Sequence, residues 1–313
     1  MLRYTSLVAA SVLTLAALAT SAMADPFYQN DFTTRTSLGL IGGTTTFTPY
    51  TIGNLVGATQ NTTAQDSWYR RGGGTSAVTV ADDGGNQYVR IAPTTVEEHD
   101  YANALQKIGS DATLLGDGLR LSIDMSPASD WDEDAATHGQ YVFLGDAYFY
   151  AGSGGSYTNC VASAFGFQED EGDSNVRKFM ARDGTGSMSY SPVYRDATVA
   201  TGNWYRFVAD LDFSTNSYAL SIYDLGTTHP TLATSTPDTP VQTFPNVHFV
   251  TDLGTTSSDL RGITAIGLLS YRNTMGDGEY DNIFLLAVPE PGTVALLALA
   301  GLCLLPFGRR RKR

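Results

Sequence analysis

Three stretches of the chain place acids at positions i, i+2 and i+4: Asp130/Asp132/Asp134, Glu169/Glu171/Asp173 and Asp277/Glu279/Asp281. On a curved loop that spacing turns carboxylate oxygens toward one centre, and a hard cation such as Ca2+ takes about six to eight of them. None of the three is a complete EF-hand. After Asp130, Ala135 stands where the turn glycine belongs and Tyr141 where the bidentate glutamate belongs. The plainer reading of any one triplet is a solvated acidic loop. Asp130, Asp132 and Asp134 are candidate calcium ligands, and Asp31 with Asp281 forms a further candidate pair if the first and last strands lie side by side. An ion there would pin loops and termini and take no part in catalysis.

Tryptophan is the second chemical feature. Sugar rings stack on exposed aromatic faces while polar neighbours fix their orientation. Trp131 lies inside the first acidic stretch, and Trp68 opens Trp68-Tyr69-Arg70-Arg71, so both are candidate glycan-stacking residues on loops. Trp204 opens a strand and could lie on either of its surfaces. Packing in a core or under a loop is the ordinary fate of such side chains.

Patterns that would mark an enzyme do not occur. There is no Gly-x-Ser-x-Gly elbow. His99, His138, His229 and His248 show no zinc spacing. Gly152-Ser153-Gly154-Gly155 lacks the lysine of a phosphate loop and reads as a turn. The Glu-x-Asp-x-x-Glu of laminarinase-like glycosidases is absent. Two carboxylates about 5 Å apart could still be assembled from distant residues, so polysaccharide cleavage stays as an alternative with no catalytic residue assigned.

The elements that would position these groups are strands. Leu119, Leu121, Ile123 and Met125 alternate with Arg120, Ser122 and Asp124, which makes one face apolar. Tyr205, Phe207, Ala209, Leu211 and Phe213 repeat the pattern, and Tyr218, Leu220 and Ile222 resume it after Ser214-Thr215-Asn216, which predicts a β-hairpin. Further strands are expected at 87–92, 140–150, 161–168, 176–181, 263–271 and 280–288, with one or two edge strands within 39–74. No helical period is sustained between the two ends of the chain. Many strands with short polar turns predict an all-β domain, a two-sheet antiparallel jelly-roll sandwich.

Charge excludes some partners. The chain has 19 Lys+Arg and 32 Asp+Glu. The first 24 residues take one base, and residues 288–313 take five bases and one acid. That leaves 13 bases against 31 acids, a net of −18 between them. Such a domain repels nucleic acid and anionic lipid and attracts cations. The whole chain's 14 Phe, 17 Tyr and 3 Trp, all but Tyr4 and Phe307 within that domain, suffice for a sizeable core. Cys160 is the one cysteine outside the tail, where Cys303 lies, so no disulfide is expected within the domain.

Both ends read as addresses. Residues 1–24 place Arg3, an apolar run and Ala22-Met23-Ala24 in the order of a secretory signal peptide, cut by signal peptidase. Residues 288–313 place Val288-Pro289-Glu290-Pro291-Gly292 before an apolar run at 294–307 and five basic residues at 309–313. That run predicts a short hydrophobic helix, shorter than the roughly 20 residues that cross a bilayer comfortably. The basic end favours the cytoplasmic side.

This three-part tail resembles the PEP-CTERM sorting signal of bacterial exosortase substrates, with Pro289, Glu290 and Pro291 matching its motif. The resemblance implies transient residence in the inner membrane, processing by an exosortase, and delivery to the cell surface or extracellular matrix. Residues 25–287 are then the passenger domain. Within it, Gly202-Asn203-Trp204-Tyr205-Arg206-Phe207 with the following hairpin, the opening Asn30-Asp31-Phe32 and the closing Tyr280-Asp281-Asn282-Ile283 resemble laminin-G-like, concanavalin-A-like sandwiches. The expected function is a non-catalytic structural or adhesive surface protein. The alternatives are a Ca2+-dependent module that binds extracellular polysaccharide, and a polysaccharide-cleaving enzyme.

Overall fold

The computed structural model describes residues 28–33, 36–38, 44–46, 50–55, 68–71, 77–92, 101–107, 117–127, 139–146, 161–170, 173–184, 192–251, 262–271 and 278–288. Every element among them is a strand. In chain order these are β1 (Tyr28–Asn30), β2 (Thr36–Leu38), β3 (Thr44–Thr46), β4 (Gly53–Asn54), β5 (Trp68–Arg71) and β6 (Ala77–Asp83). There follow β7 (Asn86–Ala92), β8 (Tyr101–Lys107), β9 (Gly118–Ser126), β10 (Gly139–Gly145), β11 (Val161–Asp170) and β12 (Asp173–Arg182). The last six are β13 (Pro192–Thr198), β14 (Trp204–Asp212), β15 (Ser217–Gly226), β16 (Gln242–His248), β17 (Ala265–Tyr271) and β18 (Gly278–Val288).

The strands form two antiparallel sheets. The larger, of 11 strands, runs β16-β15-β14-β9-β18-β1-β2-β3, with β7 on β18, β6 on β7 and β4 on β6. The smaller, of seven, runs β13-β12-β11-β10-β17-β8-β5. Period-two alternation explains how they pack. Leu119, Leu121, Ile123 and Met125 of β9 are all fully buried, and so are Phe207 and Ala209 of β14. Against them the smaller sheet presents Phe165, Phe167 and Phe179. Phe165 stacks on Phe207 at 5.8 Å, and Phe167 meets it edge-on at 5.2 Å. Each such ring contributes about 1.5–3 kcal/mol by burial.

The expected hairpin is present, with β14 and β15 in register from Tyr205↔Asp224 to Asp212↔Ser217. The expected sandwich is present as well, and its first and last strands pair, Tyr28 opposite Leu285 and Asn30 opposite Ile283. Four further strands, β6, β8, β13 and β16, are not among those expected, although Val78 and Val80 of β6 alternate and are buried. Pro245 lies inside β16, and its buried Phe244 and Val247 are three residues apart because the pairing with β15 shifts register. The signal segment, Cys160 and the C-terminal apolar run lie outside the described residues.

The centre of the smaller sheet is buried on both sides. Every residue of β10 is buried. Gln140 and Val142 pair with Phe167 and Phe165 and so face the other sheet, which turns Tyr141 and Phe143 outward. Phe143 lies over Gly267 of β17, where an added Cβ would fall on the ring. Tyr141 folds over Gly139 in the same way and lies under the Arg182 guanidinium, 5.2 Å from the ring centroid.

Candidate functional site

The larger sheet splits at β18. Residues Gly278–Tyr280 pair with β7, and Asn30↔Ile283 begins the pairing with β1. Between them the register with β9 shifts, and Asn282 takes a positive φ of 50°. This is a bulge, which re-aims side chains at the point where the strand changes partner. Phe32 has a similar φ, 56°, in the turn that leaves β1.

A set of buried polar groups occupies the split. Arg206 of β14 lies directly opposite Asp124 of β9. Its Nε donates to Asp124 Oδ1 at 2.7 Å and its Nη2 to Oδ2 at 2.8 Å. Burial pushes the Asp124 carboxyl up, and the guanidinium pulls it back. Asn282 Nδ2 donates to Asp124 Oδ2 at 2.8 Å. Asp281 is fully buried. Its Oδ1 accepts the Asn282 backbone N–H at 2.7 Å, and its Oδ2 lies 3.1 Å from His229 Nε2 and 3.4 Å from Asn86 Nδ2. Burial first, and then the charges of Asp124 and Asp31, hold the Asp281 carboxyl well above the usual carboxylate range.

The segment 227–241, between β15 and β16, straps this face. His229 stacks on Trp204 at 4.3 Å and 7°, and meets Tyr88 edge-on at 4.8 Å. Burial pushes its imidazole below the usual range. The Pro230 carbonyl accepts from Asn86 Nδ2 at 2.8 Å and Asn282 Nδ2 at 3.3 Å. Arg206 Nη1 donates to the Thr234 carbonyl at 2.8 Å and to Thr236 Oγ1 at 3.1 Å. One strap is thereby tied to β7, β14 and β18.

The structure brings together one of the expected groupings. Asp281 lies in β18 and Asp31 directly follows its neighbour β1, and the Asp31 charge helps raise the Asp281 carboxyl. Asp31 Oδ1 accepts the Thr33 N–H at 3.1 Å. Near them the Asn282 side-chain oxygen is buried with no hydrogen-bond partner. Among the described residues no three His, Cys, Asp or Glu side chains are grouped as a metal site.

Trp68 is a correction. It is fully buried, its Nε1 donates to the Tyr50 hydroxyl at 3.0 Å, and its ring lies 5.9 Å from Phe32. It belongs to β5 at the edge of the smaller sheet and has no face left for a sugar. Trp204 is covered by His229. In the triplet at 169–173, Glu169 and Asp173 belong to β11 and β12, Glu169 lies opposite Arg177, and Glu171 lies outside the described residues. In the triplet at 277–281, Glu279 pairs with Arg90 at 3.2 Å. Asp130, Trp131, Asp132, Asp134, Pro289, Glu290 and Pro291 lie outside the described residues.

The buried network was only half visible in sequence. Asp124 and Arg206 occupy outward phases of two recognisable strands, so aligning the strands would have opposed them. His229 sits in a Thr- and Pro-rich stretch with no local signal of burial.

Residues 287–312 match the PEP-CTERM protein-sorting motif. No curated protein matches the chain in sequence. Among solved structures the chain is similar to a sialidase, at 11% identity and TM-score 0.40, over 73% of this chain and 17% of that one. It is similar to lectin II from Ulex europaeus at 11% identity and TM-score 0.43, over 71% and 93% of the two chains. It is similar to the exoplasmic/lumenal domain of VIP36, in a Ca2+/Man-bound form, at 12% and 0.41, over 75% and 89%. These scores are low, and the sandwich described above rests on this chain's own strand pairing.

Proposed function

We propose that this chain is an exported surface or extracellular-matrix protein. Its sandwich serves as a non-catalytic structural or adhesive element, and its tail is removed by an exosortase near Pro289-Glu290-Pro291. The observation that carries this reading is the sorting motif at 287–312, joined directly to the sandwich through β18. Signal peptidase acts at the other end, and the inner membrane holds the chain only in transit.

The chemistry of the sandwich supports a structural role. Asp124, Arg206, Asp281 and His229 are spent on one another and on the strap. Asp124, Arg206 and Asp281 are buried and the His229 side chain is almost covered, as cross-bracing requires and as substrate attack does not. The processed protein, recovered from the cell surface and incubated with a panel of polysaccharides, is expected to leave them at full length. New reducing ends would contradict the non-catalytic reading.

One observation favours a second reading, a Ca2+-dependent module that binds extracellular polysaccharide. Asp281 is a buried carboxylate beside two others, Asp31 and Asp124, and Arg206 is already committed to Asp124. A cation held by Asp31, Asp281 and the Asn282 oxygen would supply the missing positive charge. Saturating calcium is then expected to raise the melting temperature by about 5 °C over chelator. Asp281→Asn is expected to abolish that difference. Identical melts of the parent in calcium and chelator would contradict the ion.

A further inference from the structure

The sorting motif and the sandwich overlap in sequence. The matched segment begins at residue 287, and β18 continues to Val288. No spacer separates the ladder from Pro289. Leu286, Ala287 and Val288 pair with Arg120, Leu119 and Gly118 of β9.

Support falls away along these residues. Leu285 is fully buried and paired on both sides, with Leu121 of β9 and Tyr28 of β1. Beyond it the pairing with β1 ends, and β9 alone holds the strand among the described residues. Leu286 and Ala287 are half-buried, and Val288 is 40% exposed. Strand ends with few buried contacts open at little cost, whereas a residue buried and paired on both sides opens only with the sheet. An enzyme whose cleft encloses an extended chain must first strip it from its ladder, because β9 covers one edge of it.

We propose that Leu286–Val288 is a frayable leash for the sorting enzyme. The enzyme draws Pro289-Glu290-Pro291 into reach by peeling these three residues from β9, and Leu285 sets the limit of travel. The slack is about 10 Å. This inference rests on the reading of the tail as a sorting signal and adds the step that governs access to it. The partner surface is the end of the sandwich at which β18 finishes. Antiparallel pairing puts the start of β1 at the same end, three residues after the expected cleavage at Ala24. Both membrane-held ends therefore leave the domain side by side. Asp281 lies seven residues before Val288, so the split stands roughly 20 Å back along β18 from the sorting motif.

The test uses the full chain in a cell that contains an exosortase, with shortening followed by pulse-chase. One variant inserts an eight-residue Gly-Ser spacer between Val288 and Pro289 and leaves every sandwich residue in place. Another, in a Cys160→Ser, Cys303→Ser background, carries Arg120→Cys with Leu286→Cys, a directly opposed pair that forms a staple when oxidised. The spacer is expected to speed shortening at least threefold. The staple is expected to slow it at least threefold, with reductant restoring the rate. A spacer variant or an oxidised staple that is shortened at the parental rate overturns the leash. If the parent is not shortened, or if changing Pro289, Glu290 and Pro291 to alanine makes no difference, the sorting reading itself fails and the leash with it.

Discussion

Arg206 and Asp124, on the outer face of the larger sheet, are almost as inaccessible to solvent as Tyr141 and Phe143, on the outer face of the smaller one. The two pairs reach that state by different physics. On the larger sheet a strap covers charges, and each charge is matched by a hydrogen-bonding partner. On the smaller sheet two aromatic rings lie over glycines, and one of them, Tyr141, also lies under the Arg182 guanidinium. A buried ion pair is costly to desolvate and costlier to break, because the surviving charge has nowhere to go. A ring over glycine is cheap to form and fails through crowding. The same degree of burial therefore implies opposite sensitivities to substitution.

Arg206→Met should have the largest effect. It strands Asp124 and frees two strap contacts, at an expected cost of about 3–5 kcal/mol in urea denaturation. Adding Asp124→Leu should recover most of that loss, since two apolar side chains leave no buried charge. A double variant as unstable as the single one would show that the pair holds the sheet in a way packing cannot replace.

Gly267→Ala probes the other sheet and should cost about 1–3 kcal/mol, because the new methyl falls on Phe143. Combined with Phe143→Leu the two changes should cost less than their sum, which a double-mutant cycle measures. Strict additivity would mean that the ring does not rest on this glycine.

His229→Ala comes next, at about 1–2 kcal/mol for the lost Trp204 stack and the lost contact with Asp281. Hydrogen exchange should quicken in 227–241 and stay unchanged in β10. Quickening in β10 would break the separation between the two sheets.

The smallest effect belongs to Asp212, exposed at the tip of the β14–β15 hairpin. Its Oδ1 accepts from Ser214 N, Ser214 Oγ and Thr215 N, which holds its carboxyl below the usual carboxylate range. Asp212→Ala should cost about 0.5 kcal/mol. A lowered folded-state value means that this contribution is present above the ordinary aspartate value of about 3.9 and disappears as pH falls through the folded value. Parent and variant should therefore converge in stability in acid.

The same contrast explains what the sequence disclosed. Strands with strict alternation, such as Leu119–Met125, announce both their existence and their buried face. β10 is buried on both faces, so its inner and outer residues look alike and alternation says nothing about which is which. Trp68 resembles a loop residue because two arginines follow it, yet its strand closes the smaller sheet's edge over Phe32. His229 was illegible because its burial depends on Trp204 and Asp281, which lie 25 residues before it and 52 after it. Short-range pattern reports periodicity, and it does not report partners brought in by topology. The tail motif was legible in full because it is read as linear sequence.

The most direct measurement is the intact mass of the protein recovered from the surface or matrix of a cell that contains an exosortase. The account predicts a chain that begins at or near residue 25 and ends at or near Pro289–Pro291. A surface protein that keeps residues 294–313 would contradict it.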